Sequence, residues 1–217
     1  MNPYDTNPTP PDYLRERDIF TRIWLEPRLM FRYIDAHQHE VSLWMLLVLN
    51  GMVRAFDRAQ QQNAGDKMSL MALVLLCIIG GSLGGWLSVY IYAWLISKTG
   101  KWLGGTAEPR ALLRVFAYAG IPSALTLLLL IVQIGLYGER LFQEDNAVLS
   151  NGFGVGALGS FTFMVQFALQ LWTASLFVIA TAELQRFSTG KAILNLVLPA
   201  LILIAVVLLI VLSAKLL

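Results

Sequence analysis

Charge is scarce in this chain of 217 residues. Only 14% of the residues are Asp, Glu, Lys or Arg, against about 25% in an average soluble domain. The formal net charge is +2, and the sequence contains no basic stripe, so nothing marks a nucleic-acid surface. There is one cysteine, Cys77, inside an apolar block, which excludes an intrachain disulfide and a thiolate metal cluster. The two histidines, His37 and His39, stand two apart and cannot share a helix face, whereas helical metal pairs need a spacing of three or four. No phosphate-binding loop, dinucleotide fingerprint or nucleophile–base set occurs, so the chain reads as a non-enzyme that needs no cofactor. The glycine-rich run GFGVGALG (152–159) lacks the lysine and preceding strand of a phosphate loop. The first residues carry no apolar run of signal-peptide type, so the first membrane helix is expected to act as the insertion signal.

Apolar residues are abundant instead, at 57%, and fall into long blocks. Blocks of 18 or more apolar residues with few charges mark membrane helices. The pattern predicts an all-α, polytopic membrane helix bundle. Five transmembrane helices, about 41–56, 69–97, 111–137, 160–183 and 192–214, make up a domain over 41–217. The first is short: at about 1.5 Å per residue it reaches about 24 Å, under a hydrocarbon core of about 30 Å. Residues 1–17, rich in proline and small polar residues, are expected to be a flexible cytoplasmic tail. Residues 18–40 read as an amphipathic interfacial segment. Eleven of the sixteen lysines and arginines share one side of a five-span arrangement, in the N-terminal segment and the loops near 98–114 and 186–191. The positive-inside rule then places the N-terminus in the cytoplasm and the C-terminus outside.

The amphipathic segment contains IWLEPRLMFRYI (23–34). A helix starting at Pro27 loses no hydrogen-bond donor, because the first-turn N–H groups are unpaired anyway. Leu29, Met30, Tyr33 and Ile34 then lie on one face, opposite Arg28, Arg32 and Asp35. Ile19, Phe20, Ile23 and Trp24 show the same spacing before the proline. Two short helices joined at Glu26-Pro27 are expected to lie in the membrane interface, either as an anchor or as a platform where Trp24, Arg28, Phe31 and Arg32 meet lipid or a partner.

Within the spans, Gly80/Gly84 and Gly81/Gly85 form two rows of small residues that let helices approach closely, in the bundle or in a homo-oligomer. Pro122 and Pro199 each remove a backbone hydrogen bond, to the carbonyls of Tyr118 and Asn195, and predict kinks at similar depth. A cytoplasmic polar cluster of Arg114, Tyr118, Glu183, Arg186, Lys191 and Asn195 is expected nearby, with Arg114 or Lys191 neutralising Glu183. Gln133, Gln166 and Gln170 are expected to bond between helices.

Three segments, IWLEPRLMFRYI, FAYAGIP (116–122) and AELQRFSTGKAILNLVLP (182–199), resemble the bacterial branch of the Ypt/Rab-interacting protein (Yip) family, with the likeness running over about residues 19–214. The Asp-Leu-Tyr-Gly-Pro motif of eukaryotic members is replaced by Trp24, Pro27, Arg28 and Phe31. The resemblance implies five spans, a cytoplasmic N-terminus and a non-enzymatic role in scaffolding partners or organising membrane, in a bacterial cytoplasmic (inner) membrane. Its implied partners are membrane lipids and other membrane proteins, with no nucleic acid. The alternative is a small transporter or lipid-translocating protein whose route passes Pro122, Pro199 and Gln170.

Overall fold

A computed structural model describes residues 15–144 and 153–216, and the tail expected over 1–17 falls almost entirely outside them. Every regular element among the described residues is helical. In chain order they are α1 (Glu16–Arg22), α2 (Pro27–Ala36), α3 (Leu43–Gln61), α4 (Leu70–Trp102), α5 (Pro109–Ala119), α6 (Ile121–Tyr137), α7 (Phe153–Gln185) and α8 (Thr189–Leu216), with short 3₁₀ turns at Ala64–Asp66 and Gly138–Phe142. Four stretches are long and apolar enough to cross a membrane: Leu70–Trp102, Pro109–Phe142, Gly156–Gln185 and Thr189–Leu209. The stretch expected as the first span, 41–56, lies mostly in α3, which runs on through the mostly polar stretch 57–61 and is not among those four.

The helix ends follow local chemistry. Pro27 occupies the first turn of α2 as its missing donor allows, and the chain turns at Leu25 and Glu26, whose N–H groups return to the Arg22 carbonyl. The stretch expected as a single kinked span over 111–137 is two helices. Gly120 lies between them with φ −79° and ψ 0°, and Ile121-Pro122 opens α6. Pro199, in contrast, sits within a continuous α8. At the end of α4, Gly104 adopts φ +88°, which favours glycine, and the Gly105 N–H bonds back to the Gly100 carbonyl. Arg186 closes α7 in the same way, at φ +57°, with the Phe187 N–H on the Ala182 carbonyl. Its structural part is therefore that of a helix stop.

The described chain forms two compact units. The first takes the described parts of Met1–His39, Ala93–Val115 and Val178–Leu217. The apolar face of α1 and α2 is buried here, with Ile19, Ile23, Met30, Phe31 and Ile34 all at 0% exposure. The face expected to meet lipid is thus occupied by the chain's own packing.

The second unit takes Glu40–Tyr92 and the described parts of Phe116–Phe177. In it α3 packs on α6, and Phe56, Leu73, Cys77, Leu130, Leu141 and Phe142 form one apolar cluster. Helices α3 and α4 meet at glycines: a Cβ on Gly85 would run into the Gly51 Cα and lie 3.0 Å from the Leu47 carbonyl oxygen. Gly81 makes the same kind of contact, 2.9 Å from the Met52 Cα, whereas Gly80 and Gly84 have nothing within 4 Å. Only one of the two small-residue rows is used inside this unit. The Gln133 amide nitrogen donates to Thr162 Oγ1 at 3.3 Å and to Gln166 Oε1 at 3.2 Å, the interhelical bonds expected of these glutamines.

Candidate functional site

Each unit contains a polar site. In the first unit, Arg32 projects from the partly exposed flank of α2 and forms an ion pair with Glu183 near the end of α7. One turn further along α2, Asp35 lies 3.6 Å from Arg114 of α5, whose side chain is buried. Glu183 is therefore neutralised by Arg32 rather than by Arg114 or Lys191, and Arg114 serves Asp35. Lys191 instead holds its ammonium 5.8 Å from the centre of the Phe187 ring.

Beneath these pairs lies a buried network that the sequence reading passed over. Gln185 is 1% exposed; its Oε1 accepts from the Ala107 N–H at 3.1 Å and its Nε2 donates to the Ile96 carbonyl at 3.2 Å. Asn195 donates to the same Ile96 carbonyl at 3.2 Å and accepts from Thr99 Oγ1 at 2.7 Å. Ser97 donates to the Ala107 carbonyl at 2.8 Å. Gly100 and Gly105 make room, since a Cβ on either would overlap the Gln185 amide. The glycine spacing in KTGKWLGG was the available signal, but nothing in it names the glutamine some eighty residues away. This network is closed on itself: each amide bonds protein, so Asn195 reads as a packing residue rather than the wall of a cavity.

The four platform residues separate. Phe31 is fully buried. Returning its side chain to water would cost about 1.5–3 kcal/mol, so it is a poor anchor for a partner. Arg32 is engaged with Glu183, and Trp24 donates its indole N–H to the Phe20 carbonyl at 3.1 Å. Arg28 is exposed, and Leu25 beside it is 87% exposed. Tyr118 falls in the second unit and is fully buried. His37 stacks on Tyr33 with ring centres 4.2 Å apart and shares a hydrogen bond with its carbonyl at 3.0 Å. The described residues contain no group of three or more His, Cys, Asp or Glu arranged for a metal.

The second unit encloses a partly open cavity of about 240 Å³, lined by residues of α3, α4, α6 and α7 with the end of α5 and Gly120. Among its lining residues, Asn50 donates from Nδ2 to the Ala117 carbonyl at 3.1 Å. That carbonyl is one of those released by the break at Gly120, so a side chain repairs what the backbone interruption leaves unpaired. Gly120 is required there because a Cβ would overlap the Asn50 amide. Arg54, Asp57, Ser123, Gln170 and Thr173 add polar groups, and Phe116 and Phe177, with ring centres 5.0 Å apart, give an aromatic wall.

The sequence pattern of the Yip1 domain matches residues 21–211, nearly the whole chain. The chain belongs to the Yip1-domain family. Its apolar helices make it a membrane protein of that family. No curated protein and no solved structure matches it. The family match covers both units, including α2, the glycine contact of α3 with α4, and the end of α7.

Proposed function

We propose that this Yip1-domain protein is a non-enzymatic scaffold of the bacterial inner membrane, with a cytoplasmic N-terminus and five spans. The observation that carries this reading is the fixed α1–α2 elbow. Its apolar face is buried, Arg32 and Asp35 tie it to α7 and α5, and the turn presents Leu25 and Arg28 outward. An exposed apolar side chain beside a cation on an immobilised turn suits recognition, because ordering it costs little entropy on binding. The five-span count is supported by α3, whose largely apolar part over 43–56 reaches about 21 Å at about 1.5 Å per residue, and by the exposed apolar side chains Trp44 and Met45. The lysine and arginine bias supports the orientation.

A photocrosslinking residue at position 25 or 28 in native membranes should capture a membrane protein partner, identified by mass spectrometry. Arg28→Glu should reduce capture from position 25 at least fivefold with the fold intact. Adducts to lipid alone, or capture indifferent to Arg28→Glu, would overturn the scaffold reading. Arg32 is unsuitable for this test because its loss also breaks the Glu183 pair.

The cavity favours a second reading, a small transporter or lipid-translocating protein, since Gln170 lines it next to the break before Pro122. On that reading Gln170→Leu lowers lipid-probe scrambling in reconstituted liposomes to the protein-free rate. Scrambling equal to wild type rejects it.

A further inference from the structure

The cavity of the second unit brings two opposite charges to one wall. Arg54 and Asp57 are three residues apart on α3, so they project from the same helix face with Cβ atoms about 5–6 Å apart. They form no ion pair with each other, and Asp57 has no ion pair or hydrogen bond among the described residues. Arg54, an exposed residue, donates to Ser88 Oγ at 3.5 Å and lies near enough to Tyr92 to interact with it electrostatically, and its five-donor guanidinium keeps further N–H groups for a ligand. Charged groups at the side of apolar helices are expensive and persist where they pair or bind.

From this geometry we infer that the cavity is a binding site for a small zwitterion, with the ammonium group held by Asp57 and the phosphate or carboxylate held by Arg54. The charge pattern selects this class. A simple anion would meet the Asp57 carboxylate, a simple cation would meet Arg54, and a neutral molecule would leave both charges uncompensated. Phe116 and Phe177 line the same space, and the π cloud of an aromatic ring favours an ammonium. The Gln170 amide, which has no hydrogen bond among the described residues, supplies a further donor and acceptor. Size agrees. A volume of about 240 Å³ falls below the about 300–1,000 Å³ of drug-sized sites and suits a headgroup. The inference stands apart from the scaffold reading and needs no translocation.

The same chemistry comes from two sources, an aminophospholipid headgroup or a free zwitterion such as phosphoethanolamine. Full-length protein is delipidated in a neutral detergent and titrated with phosphatidylethanolamine, phosphatidylglycerol and soluble phosphoethanolamine, with bound copies read by native mass spectrometry. Wild-type protein should retain phosphatidylethanolamine at least tenfold better than phosphatidylglycerol. Asp57→Asn, which keeps the shape, should erase that preference. Arg54→Gln should weaken the zwitterion at least tenfold, while Arg58→Gln, exposed and outside the cavity, should change nothing. Binding of phosphoethanolamine with the same dependence on Asp57 and Arg54, without retention of the lipid, upholds the site and assigns it to a soluble ligand. Equal retention of the two lipids by the wild type, with no binding of phosphoethanolamine, overturns the inference even if a variant fails to fold. So does a preference indifferent to both substitutions.

Discussion

Gly85→Val should destabilise the protein by about 3 kcal/mol, the upper part of the range for overpacked sites, while Gly84→Val one position away leaves stability within about 0.5 kcal/mol. The contrast rests on what the new atoms meet. A Cβ on Gly85 runs into backbone of α3, at Gly51 and Leu47, and backbone has no rotamer by which to withdraw. On Gly84 it meets nothing within 4 Å. Intrinsic propensity acts in the opposite direction, since valine is a better helix residue than glycine by a few tenths of a kcal/mol, so any loss at Gly85 reports packing. Gly51→Val should behave like Gly85→Val, because its Cβ would overlap the Gly85 Cα and the Gly81 carbonyl. Denaturant unfolding of the purified protein in mixed micelles gives the comparison. Equal losses at positions 84 and 85 would mean that the α3–α4 contact is not the one described.

The second large effect concerns the pair that holds α2. Removing one member of a buried ion pair costs about 3–5 kcal/mol, but the Arg32 side chain is 33% exposed and Glu183 16%, so solvent recovers part of that. Arg32→Ala is therefore expected to cost about 1–3 kcal/mol. Arg32→Glu costs more, because two carboxylates then face each other. The exchanged double variant, Arg32→Glu with Glu183→Arg, should recover at least half of the loss, and a double-mutant cycle isolates the pairwise term. Arg28→Glu, on the exposed side of the same helix, should leave stability within about 0.5 kcal/mol. Limited proteolysis at the 23–26 turn offers a local readout, since release of α2 frees the already exposed turn to adopt the extended backbone a protease needs before global unfolding. No rescue in the double variant would show that Arg32 acts through packing of its stem instead.

Much of the architecture is written locally. Four of the apolar blocks correspond to the four helical stretches long and apolar enough to cross a membrane, because hydropathy over about twenty residues is a property of the segment itself. The elbow at Pro27 and the interruption before Pro122 follow from a ring that fixes φ and removes a donor, and at Pro122 the effect exceeds the kink that the rule predicts, since the chain divides into two helices there. Pro199 shows the limit of the same rule, since its helix continues. Both units hold features the spacing could not name. The glycine rows looked equivalent in sequence, yet only Gly81 and Gly85 touch α3. Phe31 looked like a platform residue and is core.

By itself, then, the sequence determined the membrane class, the family, the helical segments and which side chains share a helix face. Those depend on composition and on a backbone repeat of 3.6 residues. Only the tertiary structure decided what each face meets. Arg32 stands 151 residues from Glu183, Asn50 stands 67 from the Ala117 carbonyl, and Gln185 stands 89 from the Ile96 carbonyl. Periodicity fixes the angle at which a side chain leaves its helix, but the neighbour it finds is set by how distant segments pack together.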